Sequence, residues 1–225
     1  MPKVFSVEGI IGAGKTTYIE KCIVPRLLSA GLKVIVVKEP IAKWEAGGIF
    51  ELYNENMKRW AYTFQTIAYK DRIMENVNTY DPSVDVVIME RSPLSDRIFM
   101  KKLYEDKTVS DIEYTSYLEW ADMWHMLMPY EIDAFIYLRP DLNVCMDRLK
   151  ERDRKGEENI TLEYQKELLD SHDSILKNPI IINGVSIVLP VYTVDVRQSH
   201  GDLRNSKEIN EAMGDWFMNI YMNML

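Results

Sequence analysis

Gly9-Ile10-Ile11-Gly12-Ala13-Gly14-Lys15-Thr16 is the stretch on which the reading of this chain turns. It matches G-x-x-x-x-G-K-[ST], the P-loop pattern, at every position. The apolar run Val4-Phe5-Ser6-Val7 before it reads as a strand, and Thr16 to Ala30 after it as a helix. That is the context the pattern needs. Glycines let backbone N–H groups turn inward around phosphate oxygens, and the helix N-terminus adds the positive end of its dipole. Gly9, Gly12, Ala13 and Gly14 form the expected cradle for ATP. Lys15 would reach the outer phosphates, and the Thr16 hydroxyl would hold Mg²⁺. An accidental Gly-rich turn would not bring strand, loop and helix into agreement.

The rest of the chain has to suit an enzyme built on that loop. Its 225 residues are most simply one α/β domain, and 47% hydrophobic content suits a packed core. A net charge of −8 argues against a nucleic-acid or anionic-membrane binder, so an ATP site must gather its own basic cluster. Cys22 and Cys145 lack metal or disulfide spacing and read as reduced thiols. No apolar run approaches the length of a membrane span. The motif starts at residue 9, so we expect no cleaved leader and a cytoplasmic protein.

Four more apolar runs follow: Val34–Val37, Val84–Met89, Ala134–Leu138 and Val191–Val194. Such runs, apolar on both faces, predict a five-stranded parallel sheet with helices on both sides. Ligands of such sheets lie beyond the C-terminal strand ends, which draws attention to Gly9, Glu39, Glu90, Arg139 and Asp195. Helical patterns cover Thr16–Ala30 (interrupted by Pro25), Trp60–Asn78, Pro93–Tyr104, Asp111–Met128, Asp141–Arg154, Leu162–Leu176 and Lys207–Met224. The Asp111–Met128 helix is apolar on more than one stripe, which predicts either full burial or a homodimer face.

Three clusters carry chemistry. Glu39, in Lys38-Glu39-Pro40, is placed to take a proton from a hydroxyl attacking a γ-phosphate. In Glu90-Arg91-Ser92-Pro93, Glu90 could hold Mg²⁺ and Arg91 could bridge the phosphate and the carboxylate of the catalytic base, while Ser92 and Pro93 also suit a helix N-cap and N1. Arg148, Arg152 and Arg154 supply the missing basic cluster, an arginine-rich lid over roughly 148–160 that could stabilise charge on the transferring group. Interleaved Asp147, Glu151 and Asp153 make a plain solvated face the competing reading. His125, His172 and His200 show no metal spacing or nucleophile partner.

Together, several blocks resemble the deoxynucleoside kinases. They are Ile10–Thr17, Glu39-Pro40 with Trp44, Arg59-Trp60-x-x-Thr63-Phe64-Gln65-Thr66, Glu90-Arg91-Ser92-x-x-Ser95-Asp96-Arg97 and Arg152-x-Arg154-x-x-Glu157. The resemblance runs in order from about residue 3 to residue 175. It implies a five-stranded parallel sheet, usually in a homodimer, and roles for single residues. Glu39 would be the general base, with Arg91 beside it. Gln65 would bind the nucleobase through its amide, which both donates and accepts. Phe64 and Trp44 would wall the base, and Tyr53 and Glu157 would hold the sugar 3′-hydroxyl. Lys15, Thr16 and Thr17 with Arg148, Arg152 and Arg154 would surround the phosphates, and Asp195 with Val196–Asp202 would border the adenine.

This chain departs from the family at Met100, where many members place an aromatic residue against the base, and at Leu94, where many carry Tyr. Both changes predict a softer pocket. Lys155-Gly156 ahead of Glu157 could shift the sugar contact to Glu158. Ala68, Arg72 and Asp96 match the deoxycytidine and deoxyguanosine kinase branch. A charged Arg72–Asp96 rim suits exocyclic amines or purine acceptors and offers nothing to a thymine methyl group. The expected activity is ATP- and Mg²⁺-dependent phosphorylation of a deoxyribonucleoside 5′-hydroxyl. Rival readings are a monophosphate kinase such as thymidylate kinase, which would need a cationic clamp for its acceptor, and a catalytically silent scaffold.

Overall fold

The computed structural model describes residues 1–154, 156–157, 159–182, 184–196 and 207–225. The chain runs β1 (Lys3–Glu8), α1 (Lys15–Tyr18), a π-helical turn (Ile19–Ile23), α2 (Val24–Ser29), β2 (Val34–Val37), α3 (Ile41–Ala46), α4 (Ile49–Glu55) and α5 (Met57–Asn78). It continues through β3 (Val86–Glu90), α6 (Pro93–Glu105), α7 (Asp111–His125), β4 (Ala134–Pro140), α8 (Leu142–Arg152) and α9 (Leu162–Lys177). It ends with β5 (Ile180–Ile182), β6 (Val185–Ile187), β7 (Val191–Val196) and α10 (Lys207–Asn223).

Five strands form one parallel sheet in the order β2-β3-β1-β4-β7. β1 is central. The chain leaves it toward β2 and β3 on one side and toward β4 and β7 on the other, so the loop after β1 sits at the switch point where such sheets bind ligands. Alternate residues go to opposite faces. Phe5, Val7, Val86 and Ile88 belong to the largest apolar cluster, with Tyr18, Ile23 and Phe217, whereas Val4, Val87 and Met89 pack in a separate cluster with Tyr130. A strand buried on both faces must be apolar throughout, which is why the five runs stood out in the sequence.

Helix starts follow local chemistry. Ser92, Ser110, Asp141 and Thr161 each accept a hydrogen bond from the first turn that follows, and Ser110 and Glu113 form a reciprocal capping box. Pro25 disturbs the first long helix as expected, but the disturbance lies just upstream, in the π-helical turn. Pro25 has no N–H to donate, and a proline ring inside a helix clashes with the carbonyl four residues back unless the turn widens. Gly214 of α10 packs against this turn, and a Cβ there would lie 2.7 Å from the Cys22 carbonyl oxygen. α5 begins three residues before the expected Trp60, because the Asn56 side chain caps it by accepting from the Arg59 N–H. Short α3 and α4 and the antiparallel β5–β6 hairpin are additions to the sequence reading. Among the described residues no helix is long and apolar enough to cross a membrane.

Candidate active site

A cavity of about 770 Å³ opens beyond the C-terminal ends of the strands. One end is lined by Gly12, Gly14, Lys15, Thr16 and Thr17 of the P-loop. The loop needs its glycines. Gly12 and Gly14 take φ of +80° and +91°, and a Cβ on Gly12 would sit 2.9 Å from the Cys145 carbonyl oxygen. Gly9 and Ala13 do not line the cavity. Gly9 lies against β4, where a Cβ would meet the Leu138 carbonyl oxygen at 2.7 Å. The Lys15 ammonium donates to the Gly9 and Ile10 carbonyls at 3.3 and 3.2 Å. Burial, reinforced by Arg91 nearby, lowers its pKa to about 7, against the pull of Glu39, Glu90 and Glu8. The Thr16 hydroxyl donates to Glu90 at 2.5 Å. Two hard oxygen donors thus meet at the phosphate end, a set that fits Mg²⁺.

The floor is a charged network. Glu39 pairs with Arg72 and lies 3.7 Å from Arg91 Nε. Burial alone would raise the Glu39 pKa, but Arg72, Arg91 and Lys15 together hold it at about 2. Arg72 also donates through Nε to Asp96 at 2.9 Å. Burial lifts Asp96 to about 6 even with Arg72 beside it. Arg91 takes a left-handed backbone, φ 62°, unusual for a residue with a side chain, and its guanidinium lies 4.8 Å over the Phe99 ring. Glu8, wholly buried at the end of β1, anchors the next residue, accepting from the Ser92 N–H at 3.0 Å and its hydroxyl at 2.8 Å. The Nη1 donors of Arg72 and Arg91 have no hydrogen-bond partner among the described residues.

The other end is aromatic. Trp44 of α3, Tyr53 of α4 and Phe64 of α5 line it with Gln65 and Ala68. Tyr53 stacks on Phe64 at 4.6 Å, and Trp44 meets Phe64 edge-on at 5.5 Å. Met100 is a correction: it does not line the cavity but sits wholly buried in the second apolar cluster with Tyr69 and Tyr117. Phe99 lines the cavity instead. One helical residue is about 100° of rotation, so neighbours on α6 face different ways; Asp96 and Phe99, three apart, share the face that looks inward. Leu94 likewise turns into the main core.

The arginine-rich segment closes over the cavity from α8 onward. Arg148 Nη1 donates to the Gly12 and Ala13 carbonyls at 3.3 and 3.2 Å. Arg152 makes a forked pair with Glu157, with contacts from 2.6 to 2.9 Å, and Arg154 reaches Glu157 at 3.2 Å and Glu45 of α3 at 3.3 Å. Gly156, φ +92°, comes so close to Asn54 that a Cβ would overlap its amide at 1.8 Å. Residues 155 and 158, the Asp195 side chain and the 197–202 segment expected at the adenine lie outside the described residues, as does His200. Arg139, at the end of β4, forms a forked pair with Asp173. Phe50, Asn54 and Phe99 also line the cavity, and no sequence motif marks them. Only helical spacing from Asp96 could have pointed to one of them, Phe99.

The family model for deoxynucleoside kinases matches residues 5–219. The chain belongs to the deoxynucleoside kinase family. It is 31% identical to deoxycytidine kinase of Mus musculus, over 91% of this chain and 87% of that protein. To mitochondrial deoxyguanosine kinase of Xenopus laevis it is 33% identical, over 77% of this chain and 73% of that protein. Deoxycytidine kinase of Homo sapiens is also 31% identical, over 89% and 86%. The chain is therefore a phosphotransferase acting on deoxynucleosides, and the five-stranded parallel sheet is the fold of this kinase family.

Proposed function

We propose that this kinase transfers the γ-phosphoryl group of Mg-ATP to the 5′-hydroxyl of a deoxyribonucleoside, and prefers deoxycytidine or a purine deoxynucleoside to thymidine. The observation that carries the reading is the single cavity joining the P-loop to the aromatic end, with Glu39 between them. In this reading the base lies between Trp44, Phe64 and Phe99, with Gln65, Arg72 and Asp96 at its polar edge, while Tyr53 and Glu157 receive the sugar. Unpartnered donors on Arg72 and Arg91 support a polar ligand, since a buried N–H left unpaired is costly. The Arg72–Asp96 pair supports bases with exocyclic amines or purine acceptors.

Chemistry in this reading is positioning and charge neutralisation. Glu39, ionised at neutral pH, accepts the hydrogen bond of the 5′-hydroxyl and orients it in line with the γ-phosphate. A carboxylate held near pKa 2 is a weak base, so the proton leaves late, which suits a loose phosphoryl-transfer transition state. Lys15, depressed to about 7 without phosphates nearby, regains its full charge when anionic oxygens arrive. Thr16 and Glu90 would hold Mg²⁺, which neutralises phosphate charge there. Arg148, Arg152 and Arg154 close the lid on the donor.

The reading takes the chain as one kinase domain that works as a cytoplasmic homodimer. Ile112, Trp120, Met123 and Met126 on and after α7 are exposed apolar residues, which supports a subunit face. Both cysteines are buried free thiols, which supports a reducing compartment. The test is a phosphorylation assay with Mg-ATP and each of the four deoxynucleosides, and separately with thymidylate. Monophosphate from deoxycytidine or a purine deoxynucleoside is the expected result. Product from thymidine alone sinks the base preference, and product only from thymidylate sinks the acceptor. Light scattering at micromolar protein tests the dimer.

A further inference from the structure

Behind the aromatic wall lies a buried carboxylate that the chemistry above does not use. Asp71, on α5 beside Arg72, is 1% exposed and does not line the cavity. It accepts from the Trp44 indole Nε1–H at 3.1 Å and from Lys43 at 2.8 Å, and it pairs with Lys70 at 2.9 Å. The two lysines run along the surface with their side chains about half exposed and neutralise the carboxylate from the solvent side. The indole hydrogen bond comes from within. Trp44 is also gripped on its face by Arg72, whose guanidinium lies 5.4 Å from the ring centre, and edge-on by Phe64. Adjacent residues of one helix thus hold two sides of the same ring.

α3 has little else to fix it. It is six residues long, its N-cap Pro40 makes no side-chain cap, and Gly47 and Gly48 follow it. A helix this short is not stable by propensity, so its place is set by tertiary contacts. Trp44 is its one fully buried side chain. A carboxylate that satisfies the indole N–H therefore sets both the tilt of the ring and the seat of the helix that follows Glu39.

We propose that Asp71 is a positioning residue for the base end of the site, fixing Trp44 through its indole N–H and so setting nucleoside affinity rather than turnover. This rests on the reading of the cavity as the nucleoside site. The test is a double-mutant cycle with Asp71→Ala and Trp44→Phe in the full-length kinase, using steady-state kinetics with Mg-ATP and deoxycytidine or the best deoxynucleoside. Loss of a hydrogen bond to a charged group predicts a nucleoside KM raised roughly tenfold by either substitution. Asp71→Ala should leave kcat within about threefold. The double variant should be no worse than the poorer single one, because both remove one interaction. Effects that multiply, or a kcat that falls while KM stays put, would overturn the proposal in favour of plain helix packing. If Asp71→Ala does not fold, Trp44→Phe alone can still overturn the proposal. That variant keeps Asp71 paired with its lysines, and an unchanged KM rules out the indole hydrogen bond as a determinant. A wild-type protein silent on every deoxynucleoside brings down the functional reading and this proposal with it, whereas an active wild type with unaltered variants brings down this proposal alone.

Discussion

At the base end of the cavity Arg72, Asp96 and Trp44 are all buried and bound to partners within the scaffold: Arg72 to Glu39 and Asp96, Trp44 to Asp71. At the lid, Arg152 and Arg154 have about a third and a quarter of their side chains exposed, and their partners are the lid's own Glu157 and the half-exposed Glu45 of α3. The same residue type is used in two ways. A buried arginine with two carboxylates is permanent structure, because removing either partner strands a charge in low dielectric. A partly exposed arginine on a carboxylate is exchangeable, because two oxygens of a phosphate accept the same guanidinium fork with more charge. The base end is built before substrate arrives, and the lid is built to change partners.

Glu39 stands where the two ends meet, and its loss should have the largest effect. Glu39→Gln keeps the shape but removes the acceptor for the hydroxyl proton. We expect kcat to fall by about 10²–10⁴, the usual range for a general base, with nucleoside binding by calorimetry little changed. Retained turnover would make Glu39 a purely structural member of the base end. Arg72→Met tests that end directly. It leaves Glu39 and Asp96 buried without their shared cation, and stability at pH 7 should drop by about 3–5 kcal/mol in urea denaturation. Protonating one carboxylate relieves the repulsion, so the deficit should shrink at pH 5. A loss below about 1 kcal/mol would place this arginine in the exchangeable class with those of the lid.

The base end and the lid were also legible in the sequence to different degrees, and for physical reasons. The P-loop, the five strands and the Glu90-Arg91-Ser92 turn combine local pattern with local chemistry, so residues near in sequence carry the whole signal. Strand ends and family blocks point to Glu39, Arg72, Asp96 and Gln65, and all four line one cavity. What was not legible depends on distance across the fold. Asp71 and Trp44 are 27 positions apart, and nothing in Lys70-Asp71-Arg72 distinguishes a buried carboxylate from a solvated one. Glu45 and Arg154 are brought together by two segments that meet only after folding. Position in a family motif points to Met100, whereas helix phase puts Phe99 on the cavity.

His172 extends the contrast to pH. Its ring lies under the site, stacked on Tyr137 and edge-on to Phe99, with Nδ1 bonded to the Leu168 carbonyl and Nε2 unpartnered among the described residues. Burial, with the positive charge of Arg91 nearby, lowers its pKa to about 3. The folded state therefore refuses a proton that the unfolded chain accepts below pH 6.5. The stability His172 permits at neutral pH is lost as pH falls from about 6.5 toward 3. Between pH 7 and pH 5 this one group should remove about 2 kcal/mol. His172→Phe keeps an aromatic ring and removes the titration, so its stability loss over that interval should be smaller than the wild type's by that amount. Equal losses would mean that the imidazole is hydrated and titrates in the folded state.

Glu45→Gln should have the smallest effect and is the cleanest probe of the lid. Glu45 is about half exposed, so its pair with Arg154 at 3.3 Å is worth no more than about 1 kcal/mol. Stability should therefore not change measurably. If Arg154 leaves Glu45 to meet the donor phosphates, Glu45 is a competitor, and removing its charge should lower the KM for ATP by up to about fivefold without changing the KM for the nucleoside. Raising salt weakens the competing pair in the wild type and so should narrow the difference between the two proteins. An ATP KM that rises instead would mean that Glu45 holds Arg154 in its working position, and the lid would then be as preorganised as the base end.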